Sequence, residues 1–314
     1  MDPAPIPTVP DHELLRLIGA GSSGQVWLAR NALGTFRAVK VVHASAFAHQ
    51  RPFDREFNGI LKFEPVSRLH DGLVDVLQVG RNEAAGYFYC VMELADDVAR
   101  GGSIDPPTYV PRTLAQDQAR LGRLPVIECV RIGAAIASAL GFLHQNGLIH
   151  RDIKPANVIF VNGIPKLADI GLVTDVAEGR SFVGTEGFIA PEGSGTVRAD
   201  IYALGKVLYE ISTGNDRNEY PALPEELGTR AEMQDLILLN KIILKACRVK
   251  TWHRYQTAED MMLALLAFEF ARDKLRKQRN ARRLDRVLGI FGGVVAVSVF
   301  VFVIWRIISL VKHQ

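Results

Sequence analysis

The chain has 314 residues, 48% of them hydrophobic and 23% charged, which excludes a disordered or collagen-like polymer and leaves room for two domains, or one two-lobed domain with an appendage. Its three cysteines, Cys90, Cys129 and Cys247, lie far apart, which argues against a disulfide scaffold or a cysteine-based zinc site and suits a reducing compartment. The net charge of +3 is unevenly divided: residues 1–271 carry 27 basic against 32 acidic side chains and residues 272–286 carry eight against two, a mildly acidic body with a basic neck that argues against nucleic-acid binding.

The first ten residues form a Pro-rich N-terminal arm, in which Pro3, Pro5, Pro7 and Pro10 remove donors and fix φ, predicting an extended, mobile segment. The arm lacks the basic start and apolar run of a signal peptide. A strand over residues 14–18 leads into a glycine cluster, and strands over 25–29 and 35–42 flank a turn at 31–34. Apolar residues at 53, 57, 60 and 61 predict a helix over 53–63. Strands over 73–79 and 87–92 follow. Residues 97–124, with Gly101-Gly102, Pro106-Pro107 and Pro111, read as a long loop-rich connection whose purpose the sequence does not state. A long amphipathic helix runs from Val126 to Gly147, with further helices over 199–212, 233–245 and 257–270. A sheet-rich first third and a helical remainder predict an α+β chain of two lobes, hinged near residues 92–97.

Residues 287–305 form a run of 19 uncharged residues. As a helix it would rise about 28 Å, close to the roughly 30 Å hydrocarbon thickness of a bilayer. Trp305 stands where an interfacial aromatic belongs. The competing reading is a buried core helix or strand. The basic juxtamembrane segment over 271–286 favours a C-terminal single transmembrane helix. Positive residues stay inside, so 1–286 should be cytoplasmic and 306–314 a short extracytoplasmic tail. The neck should also be drawn to an anionic leaflet. Gly289 and Gly293 have the small-xxx-small spacing that lets two such helices pair, which leaves a homodimer open.

The glycine cluster Gly19-Ala20-Gly21-Ser22-Ser23-Gly24-Gln25-Val26 lets backbone amides approach phosphate oxygens with no Cβ in the way. By itself it also fits a hairpin loop or a dinucleotide-binding turn, but the latter needs a helix directly after it and here a strand follows. That strand pattern continues to Ala38-Val39-Lys40, where a lysine beside a glycine loop can neutralise phosphate charge. Further on stands Ile149-His150-Arg151-Asp152-Ile153-Lys154-Pro155-Ala156-Asn157-Val158, with Lys166-Leu167-Ala168-Asp169-Ile170-Gly171 beyond it. With Ala190-Pro191-Glu192, residues 200–205 and Arg254, these motifs closely resemble the eukaryotic-type protein kinase family over about residues 11–270, and within it the bacterial membrane-anchored serine/threonine protein kinases.

The resemblance implies a two-lobed kinase fold with the N-lobe over about 11–94 and the C-lobe over about 95–270. It implies ATP and Mg2+ (or Mn2+) as cofactors and Ser/Thr hydroxyls of proteins as substrates. Asp152 and Lys154 would be catalytic, Asp152 accepting the hydroxyl proton and Lys154 steadying the γ-phosphate. Asn157 and Asp169 would hold the metal. Gly19, Gly21 and Gly24 would cover the phosphates, and Lys40 would pair with Glu56, with Glu64 as the fallback. Val26, Ala38 and Ile159 would sandwich adenine, with Met92 as gatekeeper and Glu93 to Ala95 offering hinge backbone groups. Thr185 would shape the substrate groove, and Thr174 and Ser181 would be activation-loop acceptors gripped by Arg151. Arg254 would pair with Glu192. Ile170 replaces the family's usual Phe, losing aromatic area but no metal ligand. Two other readings stand beside the kinase: a membrane-anchored pseudokinase scaffold, and a nicotinamide oxidoreductase that fails for want of a βαβ unit.

Overall fold

The computed structural model describes residues 6–21, 24–169, 174–175, 184–224, 229–275 and 277. Its contacts divide the chain into two units, Met1–Leu266 and Ala267–Gln314. The expected span at 287–305, the tail after it, most of the basic neck, Ile170, Ser181 and the side chain of Thr174 lie outside the described residues.

The first unit opens with a five-stranded antiparallel sheet of β1 (His12–Gly21), β2 (Gly24–Asn31), β3 (Phe36–His43), β4 (Val76–Asn82) and β5 (Tyr87–Met92), in the order β1-β2-β3-β5-β4. Period-2 alternation sorts its side chains. Val39 and Val41 of β3, with Ala29, Tyr87, Tyr89 and Val91, build a core on one face, joined by Leu14 and Trp27. Val26, Ala38, Lys40 and Met92 belong to the other face, where Lys40 pairs across strands with Val26 and Cys90. Helix α1 (Gln50–Ser67) buries Phe53, Glu56, Ile60 and Phe63, one stripe at helical spacing.

The described end of the N-terminal arm is docked, which corrects the expectation of a mobile segment. Val9 is buried in the outer core. The Thr8 amide donates to the Tyr87 hydroxyl (3.0 Å), and that hydroxyl donates to the Thr8 carbonyl (2.7 Å). Extended, proline-rich chain is preorganised to lie along a sheet, so little entropy is lost in pinning it.

The rest of the unit is mostly helical. Helix α2 (Leu114–Leu121) lies within the segment read as loop, and α3 (Val126–Gln145), α4 (Val197–Thr213) and α5 (Arg230–Ala246) pack together. A sixth helix, α6, covers residues 258–275. Gly133 of α3 lets α4 approach, since a Cβ there would sit 2.9 Å from Leu208 Cδ2. Among the described residues α3 is the one helix long and apolar enough to cross a membrane. Its buried stripe, including Cys129, Ile132, Ile136, Leu140 and Leu143, makes it the core helix of this lobe. Short strands complete the frame: β6 (Leu148–Ile149) pairs with β9 (Thr174–Asp175), and β7 (Val158–Val161) with β8 (Ile164–Leu167). The three cysteines are buried and unpaired.

Candidate active site

Between the sheet and the helical lobe lies a cavity of about 390 Å³. Gly19, Gly21, Gly24, Val26, Ala38, Lys40, Met92, Glu93, Ala95, Lys154, Asn157, Ile159 and Asp169 all line it. The sequence reading missed Ile18, Val74, Tyr109, Pro111 and Thr113, which line it too. Gly24 shows why its position excludes other residues: φ is +114°, and a Cβ would meet the Val41 carbonyl oxygen at 2.4 Å.

Lys40 is the hub of the upper half. Its Nζ lies 3.2 Å from Glu56 Oε1 on α1 and 2.7 Å from Asp169 Oδ1, although 129 positions separate it from the latter. Glu64, the fallback partner, instead faces Arg68 at 2.5 Å. Burial works against the charge on Lys40, but the Asp169 and Glu56 carboxylates outweigh it and hold the ammonium above the ordinary lysine range. Burial likewise opposes the charge on Asp169, and Lys40 overcomes it, holding this carboxyl below its usual range. Glu56 goes the other way: burial pushes its carboxyl up and Lys40 offsets only part. One cation thus serves two carboxylates, and the shorter contact goes to Asp169. Lys40–Asp169 is the favourable pair, and at Glu56 burial outweighs what the shared cation gives back.

Asp152 is the hub of the lower half. Its Oδ2 accepts from Lys154 Nζ (2.7 Å) and Asn157 Nδ2 (3.0 Å). Its Oδ1 accepts from the Thr185 amide (3.0 Å) and hydroxyl (2.8 Å). Lys154 also reaches Thr185 Oγ1 at 2.9 Å, closing a triangle. The loop carrying Asp152 is hung on buried Asp200 of α4, which accepts from the amides of His150 and Arg151 at 2.9 Å each and from His144 Nε2 at 2.9 Å. Arg151 is buried with φ +72°. Arg254 grips Glu192 through two nitrogens at 2.6 and 2.8 Å, joining distant ends of the lobe.

The donor set suits a magnesium ion. Asn157 commits its amide nitrogen to Asp152, at 2.8 Å from the carbonyl and 3.0 Å from Oδ2, so its remaining side-chain group is an oxygen acceptor. Asp169 supplies a carboxylate in the same cavity. Among the described residues no group of three or more His, Cys, Asp or Glu could cage a metal. The Asn157 oxygen and the Asp169 carboxylate are the one or two protein oxygens that magnesium takes where phosphate and water complete its shell.

The hinge and the segment after it form the front wall. Glu93 spends its carboxylate on the Asp75 amide (2.8 Å) and Lys166 Nζ (2.6 Å), tying the hinge to β8. Asp97 organises the following loop, its carboxylate accepting from the amides of Ala99, Arg100 and Val110 at 2.9 Å each. Tyr109 donates its hydroxyl to the Ala95 carbonyl at 3.0 Å. Arg16 of β1 donates to the Pro106 carbonyl at 3.0 Å and to the Tyr109 carbonyl. The Pro/Gly-rich connection is therefore a wall of the cavity, strapped to the strand that leads into the glycine loop.

The family signature described as protein kinase domain matches residues 12–282. The chain is similar to the serine/threonine-protein kinase PrkC of Bacillus subtilis, 29% identical over 290 residues that cover 85% of this chain and 42% of that protein. It is 31% identical over 292 residues to the serine/threonine-protein kinase PknB of Mycobacterium leprae, covering 82% and 44%. It is 32% identical over 222 residues to the DNA damage-responsive serine/threonine-protein kinase RqkA of Deinococcus radiodurans, covering 65% and 30%. The chain spans less than half the length of these curated relatives.

Proposed function

Since the chain belongs to the protein kinase family, we propose that it transfers the γ-phosphate of ATP to Ser or Thr hydroxyls of protein substrates while tethered to a membrane by residues 287–305. The observation that carries the catalytic part is the pairing of two charge hubs across one cavity, Lys40 between Glu56 and Asp169, and Asp152 among Lys154, Asn157 and Thr185.

The chain's own groups divide the work. Val26, Ala38 and Ile159 give apolar faces for a base, and Met92 lines the cavity with them. Lys40 meets phosphate oxygens with a charge that Glu56 and Asp169 keep on the ammonium. Asp152 orients the substrate hydroxyl and accepts its proton as the oxygen attacks phosphorus. The new oxygen–phosphorus bond forms as the bond to the β-phosphate oxygen breaks, and ADP leaves. Lys154, bonded to both Asp152 and Thr185, balances the charge on the group in flight. Asn157 and Asp169 would hold magnesium, which when bound neutralises phosphate charge.

The tether reading rests on the uncharged run at 287–305 and the basic segment before it, with the kinase region on the cytoplasmic side. A homodimer through Gly289 and Gly293 is part of the same reading.

Transfer of labelled γ-phosphate to a generic basic protein tests the enzyme. Asp152→Asn should lose about 10²–10⁴-fold while nucleotide affinity stays within a factor of a few. Equal label in variant and wild type would refute catalysis and favour the scaffold reading. Deleting 287–314 should move the protein from the membrane pellet to the supernatant.

A further inference from the structure

Away from the cavity, the end of α5 and the loop after it carry a charge pattern that phosphate transfer does not use. Residues 236–258 contain no Asp or Glu, in a body (1–271) with 27 basic and 32 acidic side chains. Lys241, Lys245, Arg248, Lys250 and His253 in this stretch are all exposed. Lys241, Leu244 and Lys245 share one face of α5 by spacing, and with Arg248 and His253 of the loop after it they line an open cavity of about 630 Å³. Among the described residues, Lys241, Lys245, Arg248 and Lys250 pair with no carboxylate. Two of them stand over aromatic rings instead, Lys245 Nζ 4.1 Å from the Tyr255 centroid and Lys250 Nζ 5.7 Å from that of Trp252. Trp252 is 66% and Val249 73% exposed. Compensation of the helix dipole explains Lys245, in the last turn of α5. That effect fades within a turn and does not explain Lys241, Arg248 or Lys250.

We propose that this face docks on the anionic cytoplasmic surface of a lipid bilayer, with Trp252 and Val249 entering the headgroup layer between the four cations. Exposed tryptophan beside Lys and Arg is the chemistry of the bilayer interface. An acidic peptide would use the charges but leave Trp252 and Val249 in water. The acidic remainder of the body is repelled by the same leaflet, so the basic face alone points toward it. The proposal builds on the tether reading: 12 positions separate residue 275, at the end of α6, from residue 287, a reach of at most about 43 Å, which keeps the lobe at high effective concentration near lipid.

The test uses the full chain in vesicles of phosphatidylcholine alone or mixed with phosphatidylglycerol. Trp252 fluorescence is read in a Trp27→Phe/Trp305→Phe background with brominated lipids. Hydrogen exchange of residues 241–253 in the unmodified chain provides a readout without substitutions. Quenching and slowed exchange are expected on the mixed vesicles, reversed by high salt. The triple variant Lys245→Gln/Arg248→Gln/Lys250→Gln should weaken docking about a hundredfold, at about fivefold per charge, with phosphate transfer unchanged. A chain that floats with both vesicle types yet keeps Trp252 unquenched and residues 241–253 unprotected overturns docking and leaves the tether standing. Salt-sensitive flotation with mixed vesicles only, with Trp252 quenched and residues 241–253 protected, supports docking and removes the tether; the same flotation without those signals assigns binding to the basic neck and overturns docking, and flotation with neither overturns both. Protection by added polyglutamate but not by lipid assigns the face to an acidic protein segment and overturns the proposal.

Discussion

Removing the Arg16 side chain should loosen nucleotide binding although Arg16 does not line the cavity. Arg16 holds the front wall through the carbonyls of Pro106 and Tyr109, 90 and 93 positions away. A hydrogen bond from a charged donor contributes about 1.5–3 kcal/mol when buried. Arg16 is only partly buried, so about 1 kcal/mol for each bond is the fair figure, or about 2 kcal/mol together. If that energy keeps Tyr109, Pro111 and Thr113 in place around the base, Arg16→Ala weakens ATP affinity by up to about thirtyfold. Tyr109→Phe, which removes one neutral hydrogen bond to Ala95, should cost about fivefold. The assay is titration with a fluorescent ATP analogue, run beside thermal melting. Arg16→Lys keeps the charge but cannot span two carbonyls, and should fall between wild type and Ala. An Arg16→Ala protein that melts lower but binds nucleotide as wild type does would refute the reasoning, because the strap would then serve the fold alone.

The two cavity glycines should separate fold from binding. Gly24→Ala meets the Val41 carbonyl and a disfavoured φ, so a loss of about 1–3 kcal/mol in urea unfolding is expected. Gly21→Ala meets nothing within 4 Å and should leave stability unchanged while raising the KM for ATP. Arg254→Ala strands Glu192, and breaking such a buried pair costs about 3–5 kcal/mol, a fall in melting temperature of roughly 6–20 °C by calorimetry. For pH, the carboxyl of Asp169 is held below its ordinary value. Its contribution is therefore present above the usual carboxylate pKa and lost as pH falls through the depressed one. Asp169→Asn should flatten the acid limb of the stability curve below about pH 4, and a limb as steep as wild type would contradict the Lys40–Asp169 pairing.

Elements with strong periodicity were legible in the sequence. Strand β5 matches the expected 87–92, and α3 ends within two residues of Gly147. The strand expected over 73–79 starts late, at Val76, because Leu73 and Val74 bond along β8 at Leu167 instead. The β7–β8 hairpin was missed although its turn is Asn162-Gly163, with φ of 51° and 75°, the strongest short hairpin signal there is. Helix α2 is harder: eight residues in a loop-like stretch, marked only by Thr113 accepting from the Gln116 amide at 3.1 Å. The side chains that meet at the cavity could be named from motif spacing. The wall could not, because Tyr109 and Arg16 meet across 93 positions by long-range bonds that leave no local pattern.

The bond from Tyr109 to Ala95 bears on small-molecule inhibition. Purine mimics commonly anchor to connecting-segment backbone, and here one lone pair of the Ala95 oxygen is already occupied. A compound that must donate to that atom competes with a phenol fixed in position. One that instead lays an aromatic surface against Tyr109 and Pro111 uses a rim built from the Pro/Gly-rich connection and leaves that hydrogen bond intact.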